Sequence, residues 1–333
     1  MAYGQSIPDI DHQHAGRLAV TAYFFRRLLL LIPLVILVTF GVASLMRMVH
    51  GDPATLALGE GATPQDIQTF RHAYHLDDPL PVQYLRWWGD VFHGNLGTSV
   101  VSRTNVTLEL QHRLPVTLEL LILSTLMTAV IGISFGVVSA LQQNSPMDYM
   151  VRLFSILGLS IPSFWLGTLV IVLPAIWWGY LPPLQRINLM DSPIRNLQQY
   201  WLPSLVLAIG GSAIVMRIAR SSLLEVMRND FIRTARAKGL RSNVVLYRHA
   251  LKNAIIPVVT ILGLQVAALI GGTVIIESIF NLQGVGTYMI NSINARDYPS
   301  VQGMVLFFAV VIIVVNLIVD MSYALFDPRI RYS

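Results

Sequence analysis

The chain has 333 residues, 54% of them hydrophobic and 12% charged, with 23 Lys+Arg against 18 Asp+Glu and a net charge of +5. A mean hydropathy of +0.60, carried by long uncharged runs, excludes an ordinary soluble domain and places the chain among polytopic membrane proteins. The absence of cysteine excludes a disulfide framework and a thiolate metal site.

Residues 1–27 are polar and mixed and read as a cytoplasmic N-terminal segment. The apolar stretch after them is long enough to span and lacks a small-residue cleavage pattern, so it is not expected to be a removable signal. Crossing the ~30 Å hydrocarbon core takes roughly 20 apolar helical residues. Six windows qualify: Leu28–Met46, Leu120–Leu141, Leu153 to about Tyr180, Tyr200–Met216, Asn253–Ile276 and Tyr298–Val319. The expected fold is therefore all-α with six transmembrane helices, the fourth being the shortest. Proline and glycine inside the windows do not count against them, because neighbouring helices can satisfy freed backbone groups.

Basic residues set the orientation. With the N-terminus inside, the inner segments carry 15 of the 23 Lys+Arg residues, nine of them between Arg217 and Lys252. This excess puts both termini in the cytoplasm. It also favours a lipid bilayer over nucleic acid as the partner of the positive charge.

The first outer connection, 50–113, is long enough to carry structure. Thr63 is a candidate N-cap, with Pro64 at the first helical position and Asp66 near the positive dipole end. Ile67, Phe70 and Tyr74 then share one face, which suits a helix packed on the membrane surface or on the rim of the bundle. His72 and His75 have metal-capable spacing on it, and His93 follows, but solvated histidines are the plainer reading and no metal site is assigned. Trp177, Trp178 and Tyr180 read as an interfacial belt.

The inner connection, 217–252, holds the densest basic run. Asn229 or Asp230 can cap a short helix that Gly239 ends in the left-handed conformation. Phe231, Ala235 and the Ile232 side form an apolar stripe, while Arg233, Arg236 and Lys238 point elsewhere. Ala235 and Ala237 would let a partner surface approach closely, and the arginines offer forked donors to its carboxylates. A second helical run, Val244–Ala254, leads into the fifth span. A basic run serving only topology and lipid head groups is the competing reading.

The string "DFIRTARAKGL…HALKNAIIPVVTILGLQ" resembles the cytoplasmic EAA loop of type I ABC importer permeases. Arg233, Thr234 and Ala235 take the Glu-Ala-Ala places, Gly239 the glycine, His249 the hydrophobic place, Leu251 the leucine and Lys252 the proline. These departures are usual in the dipeptide/oligopeptide/nickel branch. "GDPA" (51–54), "HGNLGTS" (93–99), "GLSIPSFWLG" (158–167), "VIIESIFNLQGVG" (274–286), "RDYPSVQG" (296–303) and "DPRIR" (327–331) follow in the order of that branch. Residues 1 to about 20 lie outside the resemblance.

The resemblance implies a MetI-like transmembrane domain over 28–333 in a bacterial inner membrane. It further implies a second homologous permease, two ABC ATPase subunits that bind ATP and Mg²⁺, and an extracytoplasmic substrate-binding protein. Asp230, Phe231, Arg233, Thr234, Ala235, Arg236, Lys238, Gly239 and His249 would dock this coupling helix on an ATPase. Dipeptides or oligopeptides are the expected cargo, with nickel chelate, glutathione or an oligosaccharide as alternatives. The chain itself has no phosphate-binding Gly-x-x-x-x-Gly-Lys loop and no hydrolase element, so it is expected to hold no cofactor and no catalytic residue.

Three acidic residues lie in or beside the spans: Glu119, Glu277 and Asp320. Intramembrane carboxylates are candidates for a pathway or gate, and structural pairing is the alternative at each. A stand-alone secondary transporter or channel is the competing class of function. Against it stand the six-span length and the lack of an inverted repeat or of paired intramembrane charges.

Overall fold

The computed structural model describes residues 29, 31–48, 51–59, 61–179 and 186–326, with side chains through 318. Helix α1 (Leu31–Met48) leads into three short helices, α2 (Pro53–Leu58), α3 (Pro64–Ala73) and α4 (Leu80–Phe92). Then come α5 (Val106–Leu141), α6 (Pro146–Ser160), α7 (Ser163–Trp178), α8 (Pro193–Met227) and the short α9 (Asp230–Ala237). A brief α10 (Ser242–Val244) passes through one π-helical turn, Val245–Ala250, into α11 (Leu251–Ile279). The chain closes with α12 (Val285–Asn294) and α13 (Tyr298–Phe326). Among the described residues the only β contact is one bridge between Thr98 and Asn105.

Among the described residues, five helical stretches are long and apolar enough to cross a membrane: α1, α5, α8, α10 through α11, and α13. The window expected as one span from Leu153 to Tyr180 is instead two helices, α6 and α7, that meet at 99°. The cause is local. Proline at 162 has no N–H to offer the Gly158 carbonyl, and it disfavours helical geometry at the residue before it. Ile161 is accordingly extended, at φ −88° and ψ 120°.

The fourth window, expected to be the shortest, is the core of a 35-residue helix. Its polar extension from Arg217 to Met227 contains neither proline nor glycine and stays helical, so the inner connection begins after Met227 rather than at Arg217.

Packing follows small residues. Gly132 and Gly136 of α5 form a G-x-x-x-G pair that lets α8 come close: a Cβ at Gly132 would lie 2.5 Å from the Val215 side chain, and one at Gly136 2.7 Å from Ala219. The main core joins α5, α8, α11, α12 and α13 through Leu120, Tyr200, Val206, Ile276, Tyr288 and Met304.

Two buried aspartates tie the ends of this bundle. At the α9 end, Asp148 is fully buried at the start of α6. It accepts from Ser139 of α5, from the Asn144 N–H at 3.0 Å and from Arg220 of α8 at 2.8 and 3.0 Å. Arg152 adds an ion pair at 3.2 Å. At the opposite end, Asp297 accepts from Ser99 at 2.5 Å, from the Val100 N–H at 3.0 Å and from Ser300 at 2.7 Å. One carboxylate therefore fastens the loop before α5 to the start of α13.

That opposite end also carries α2, α3 and α4. Helix α3 has the capping box expected of Thr63 and Asp66, and hydrogen bonds from Thr63 hold the Asp66 carboxyl below its usual range. Ile67, Phe70 and Tyr74 pack together with Ala54 and Val100. His75 falls beyond the end of α3, at φ 54°, rather than on it. His72 lies 3.6 Å from Asp77 and His75 3.8 Å from Asp78, so each histidine faces its own acid.

Removing one partner of a buried ion pair strands the other. Asp148→Ala is expected to cost about 3 kcal/mol, the low end for such a pair because Arg220 keeps some contact with solvent. It should lower the Tm of the purified chain in detergent clearly more than Arg152→Ala does.

Candidate functional site

Helix α9 is an eight-residue rod between the end of α8 and the π-helical turn. Asn229 occupies the N-cap position with extended backbone but makes no side-chain cap bond. Gly239 adopts φ +77° just past the C-terminus, where a Cβ would meet nothing within 4 Å. Glycine is needed there for its left-handed backbone, not for space.

The inward face of α9 differs from expectation at two residues. Ile232 and Ala235, three apart, are buried against Ala140 of α5, Leu223 of α8, Val245 and Leu246 of the π-helical turn, and Ala254 of α11. Phe231 is 45% exposed and so does not belong to the buried stripe. Ala235, expected to face a partner, anchors the rod to its own bundle instead. Both 231 and 232 stand at helix-face spacing from 235; the neighbouring helices lie on the 232 side, which leaves Phe231 at the outer edge.

The exposed face carries Phe231, Arg233, Thr234, Arg236, Ala237 and Lys238. Its single acid, Asp230, meets Arg233 at 3.2 Å with both side chains in solvent. His249 is half-buried on the π-helical turn, and its carbonyl accepts from Asn253 at 2.7 Å. Two of the nine basic residues counted in this stretch, Arg217 and Arg220, lie on α8, and Arg220 serves Asp148.

The carboxylate of Glu277 sits at the far end of α11 and is fully buried. It accepts from Thr117 of α5 at 2.6 Å and from the Thr287 N–H at 3.0 Å, while Thr117 itself accepts from the Val285 N–H at 2.9 Å. The NLQGVG turn wraps over it so closely that a Cβ on Gly284 would lie 2.4 Å from the carboxyl carbon. These hydrogen bonds tie α5, α11 and α12 together at the Glu277 carboxylate.

Glu119 is half-buried on α5, beside Asn196 and Tyr200 of α8 and within reach of the Arg186 charge. Helix α5 begins at Val106, so Glu119 lies inside the helix rather than at its edge. The side chain of Asp320 and residues 1–28 fall outside the described residues. Glu119 and Glu277 both lie within electrostatic reach of Tyr200.

Two functional-looking groups escaped the sequence reading, Asp148 and Asp297. Each had a signal. Ser145-Pro146-Met147-Asp148 has capping-box spacing, and Asp297-Tyr298-Pro299 has the form of a helix start. Nothing in either string announces its distant partners, Arg220 and Ser99.

Such a bundle, with a cationic rod held at one end, is that of a polytopic helical membrane protein. The chain belongs to the family described as "Binding-protein-dependent transport system inner membrane component", which matches residues 132–332; the family's N-terminal membrane component matches residues 20–121. It is 40% identical over 316 residues to the oligopeptide transport system permease protein AppB of Bacillus subtilis, covering 94% of this chain and 100% of that one. It is also 40% identical over 331 residues to the dipeptide transport system permease protein DppB of Alkalihalophilus pseudofirmus, covering 93% and 99%. The fold resembles a chain of the inward-facing MetNI methionine ABC transporter, with a TM-score of 0.52 at 16% identity, over 66% of this chain and 96% of that one.

Overpacking the Glu277 corner is expected to loosen it. Gly284→Ala should cost about 1–3 kcal/mol and speed hydrogen exchange at the amides of 285–288, while exchange in α9 stays unchanged.

Proposed function

We propose that this chain is the permease subunit of an ATP-driven importer for dipeptides or oligopeptides, with six crossings and both termini in the cytoplasm. In this reading residues 50–113 face outward, where an external binding protein delivers the cargo, and α9 faces the cytoplasm. A second homologous permease completes the pathway. Two ATPase subunits, which bind ATP and Mg²⁺, supply the work. The relatives' peptide cargo and the positive-inside distribution of Lys and Arg support the assignment.

The observation that carries the mechanism is the two-sidedness of α9. Its inner face, Ile232 and Ala235, is fixed to α5, α8 and α11, and its outer face is cationic with an exposed phenylalanine. A short rigid helix that fits an acidic, apolar groove on an ATPase would pass a displacement on where a flexible loop would absorb it. From α9 the displacement reaches Leu223 on α8 directly. The Arg220–Asp148 pair then carries it to α6, whose far end is already broken from α7 at Ile161–Pro162.

Reversing charge on the outer face leaves the inner anchor intact. Arg236→Glu together with Lys238→Glu is expected to reduce co-purification with the ATPase subunits at least about tenfold, the scale of one or two charge-assisted contacts, and to abolish peptide uptake while the Tm of the chain holds. Unchanged assembly and uptake would remove α9 from the docking surface.

A further inference from the structure

The coupling route makes no use of a cavity of about 290 Å³ that opens at the break between α6 and α7, lined in part by Gly158, Ser163, Gly210, Gly211, Gln265 and Gly272. It lies at half height, since Gly210 and Gly211 fall at the midpoint of α8 and Gln265 at the midpoint of α11. Apolar residues close the rest of the wall.

The break leaves main-chain groups without helical partners. In a continuous helix the Gly158 carbonyl would accept from residue 162, which is proline and has no N–H. Helix α7 has no side-chain cap, and its first backbone bond runs from the Leu166 N–H to the Pro162 carbonyl at 3.1 Å. The N–H groups of Ser163, Phe164 and Trp165 therefore stand outside its ladder.

Gln265 lines the hollow, and Thr128 lies behind its wall, across Gly211. The Gln265 amide reaches the Gly211 carbonyl only at 3.5 Å. The Thr128 hydroxyl is fully buried and has no hydrogen-bond partner. A Cβ on Gly211 would lie 3.2 Å from the Thr128 Oγ1 and 3.8 Å from the Gln265 Nε2, so both groups border the space that glycine leaves empty. At membrane depth, irregular backbone persists only where protein covers it or water reaches it. Broken helices near the midplane are where transported solutes find polar contacts.

We propose that this cavity binds the main-chain amide groups of a peptide in transit. The open carbonyl of Gly158 on α6 and the Ser163 N–H of α7, with Gln265, supply acceptors and donors for the peptide backbone. The glycines leave room for its side chains whatever they are. Recognition of the amide rather than the side chain suits a cargo class that shares only its backbone. The proposal rests on the importer reading above.

Because the chain has no cysteine, Ser163→Cys introduces a single thiol at the cavity wall. The test uses the full chain with its partners in membrane vesicles, a charged methanethiosulfonate reagent, and two probes, trialanine and its backbone N-methylated analogue. The thiol is expected to react, and trialanine to slow the reaction at least about fivefold while the methylated peptide does not, as the loss of one or two hydrogen bonds requires. Adding Gln265→Leu should remove that protection, with the Tm of the double variant measured against that of Ser163→Cys to show that the fold is kept.

A thiol that never reacts overturns the site, because protein or lipid then fills the cavity. Reaction that trialanine does not slow, or that both peptides slow equally, overturns amide recognition. Vesicles that take up trialanine without protecting the thiol refute the site alone. Protection in vesicles that take up no peptide upholds the site and refutes the importer reading.

Discussion

Every polar group taken out of water inside this bundle must find its partner in the protein, and three carboxylates meet that demand by joining helices far apart in sequence. Asp148 joins α5, α6 and α8 at one end. Asp297 joins the loop before α5 to α13 at the other, and Glu277 joins α5, α11 and α12. Each accepts several donors, so losing any one helix from its corner would leave a buried carboxylate short. Apolar contacts set how closely the helices pack, and these carboxylates set which helices meet and in what register.

The same constraint divides the molecule into firm and yielding parts. The α5–α8 pair is locked by the approach of Gly132 and Gly136 to Val215 and Ala219, and both helices run unbroken from end to end. The α6–α7 pair is interrupted at Ile161–Pro162, beside a cavity that α8 and α11 also line. On the proposed function, a push delivered at α9 would enter through stiff members and reach α6, which is divided from α7 at Ile161–Pro162. That arrangement is suited to alternating access, in which one part of the bundle moves while the rest serves as a frame.

The strings that carried the family resemblance also acquire physical reasons. "HGNLGTS" and "RDYPSVQG" occur together because Ser99 and Asp297 hydrogen-bond each other across almost two hundred positions. "VIIESIFNLQGVG" keeps its glycines because the Glu277 carboxyl occupies the space their side chains would need. "GLSIPSFWLG" marks the break itself. The string "RTARAKGL" combines an inward Ala235 with outward basic residues, and its Gly239 has left-handed geometry.

Composition and local pattern alone determined a great deal: an all-helical membrane protein, the approximate windows, the capped helix α3, the short helix α9, and the turn at Gly239. Helix periodicity, capping and the cost of charge in lipid act over a few residues, and such effects can be read along a chain. Tertiary structure decided the rest. It showed that the third window is two helices, that Arg220 belongs to Asp148 rather than to the inner loop, and that Ala235 rather than Phe231 faces the bundle. It also placed Glu277 in a sealed corner. These outcomes depend on which distant donor reaches a given carboxylate and on which side of a helix has a neighbour. Those are relations across the bundle, and residues that meet there need share no pattern along the chain.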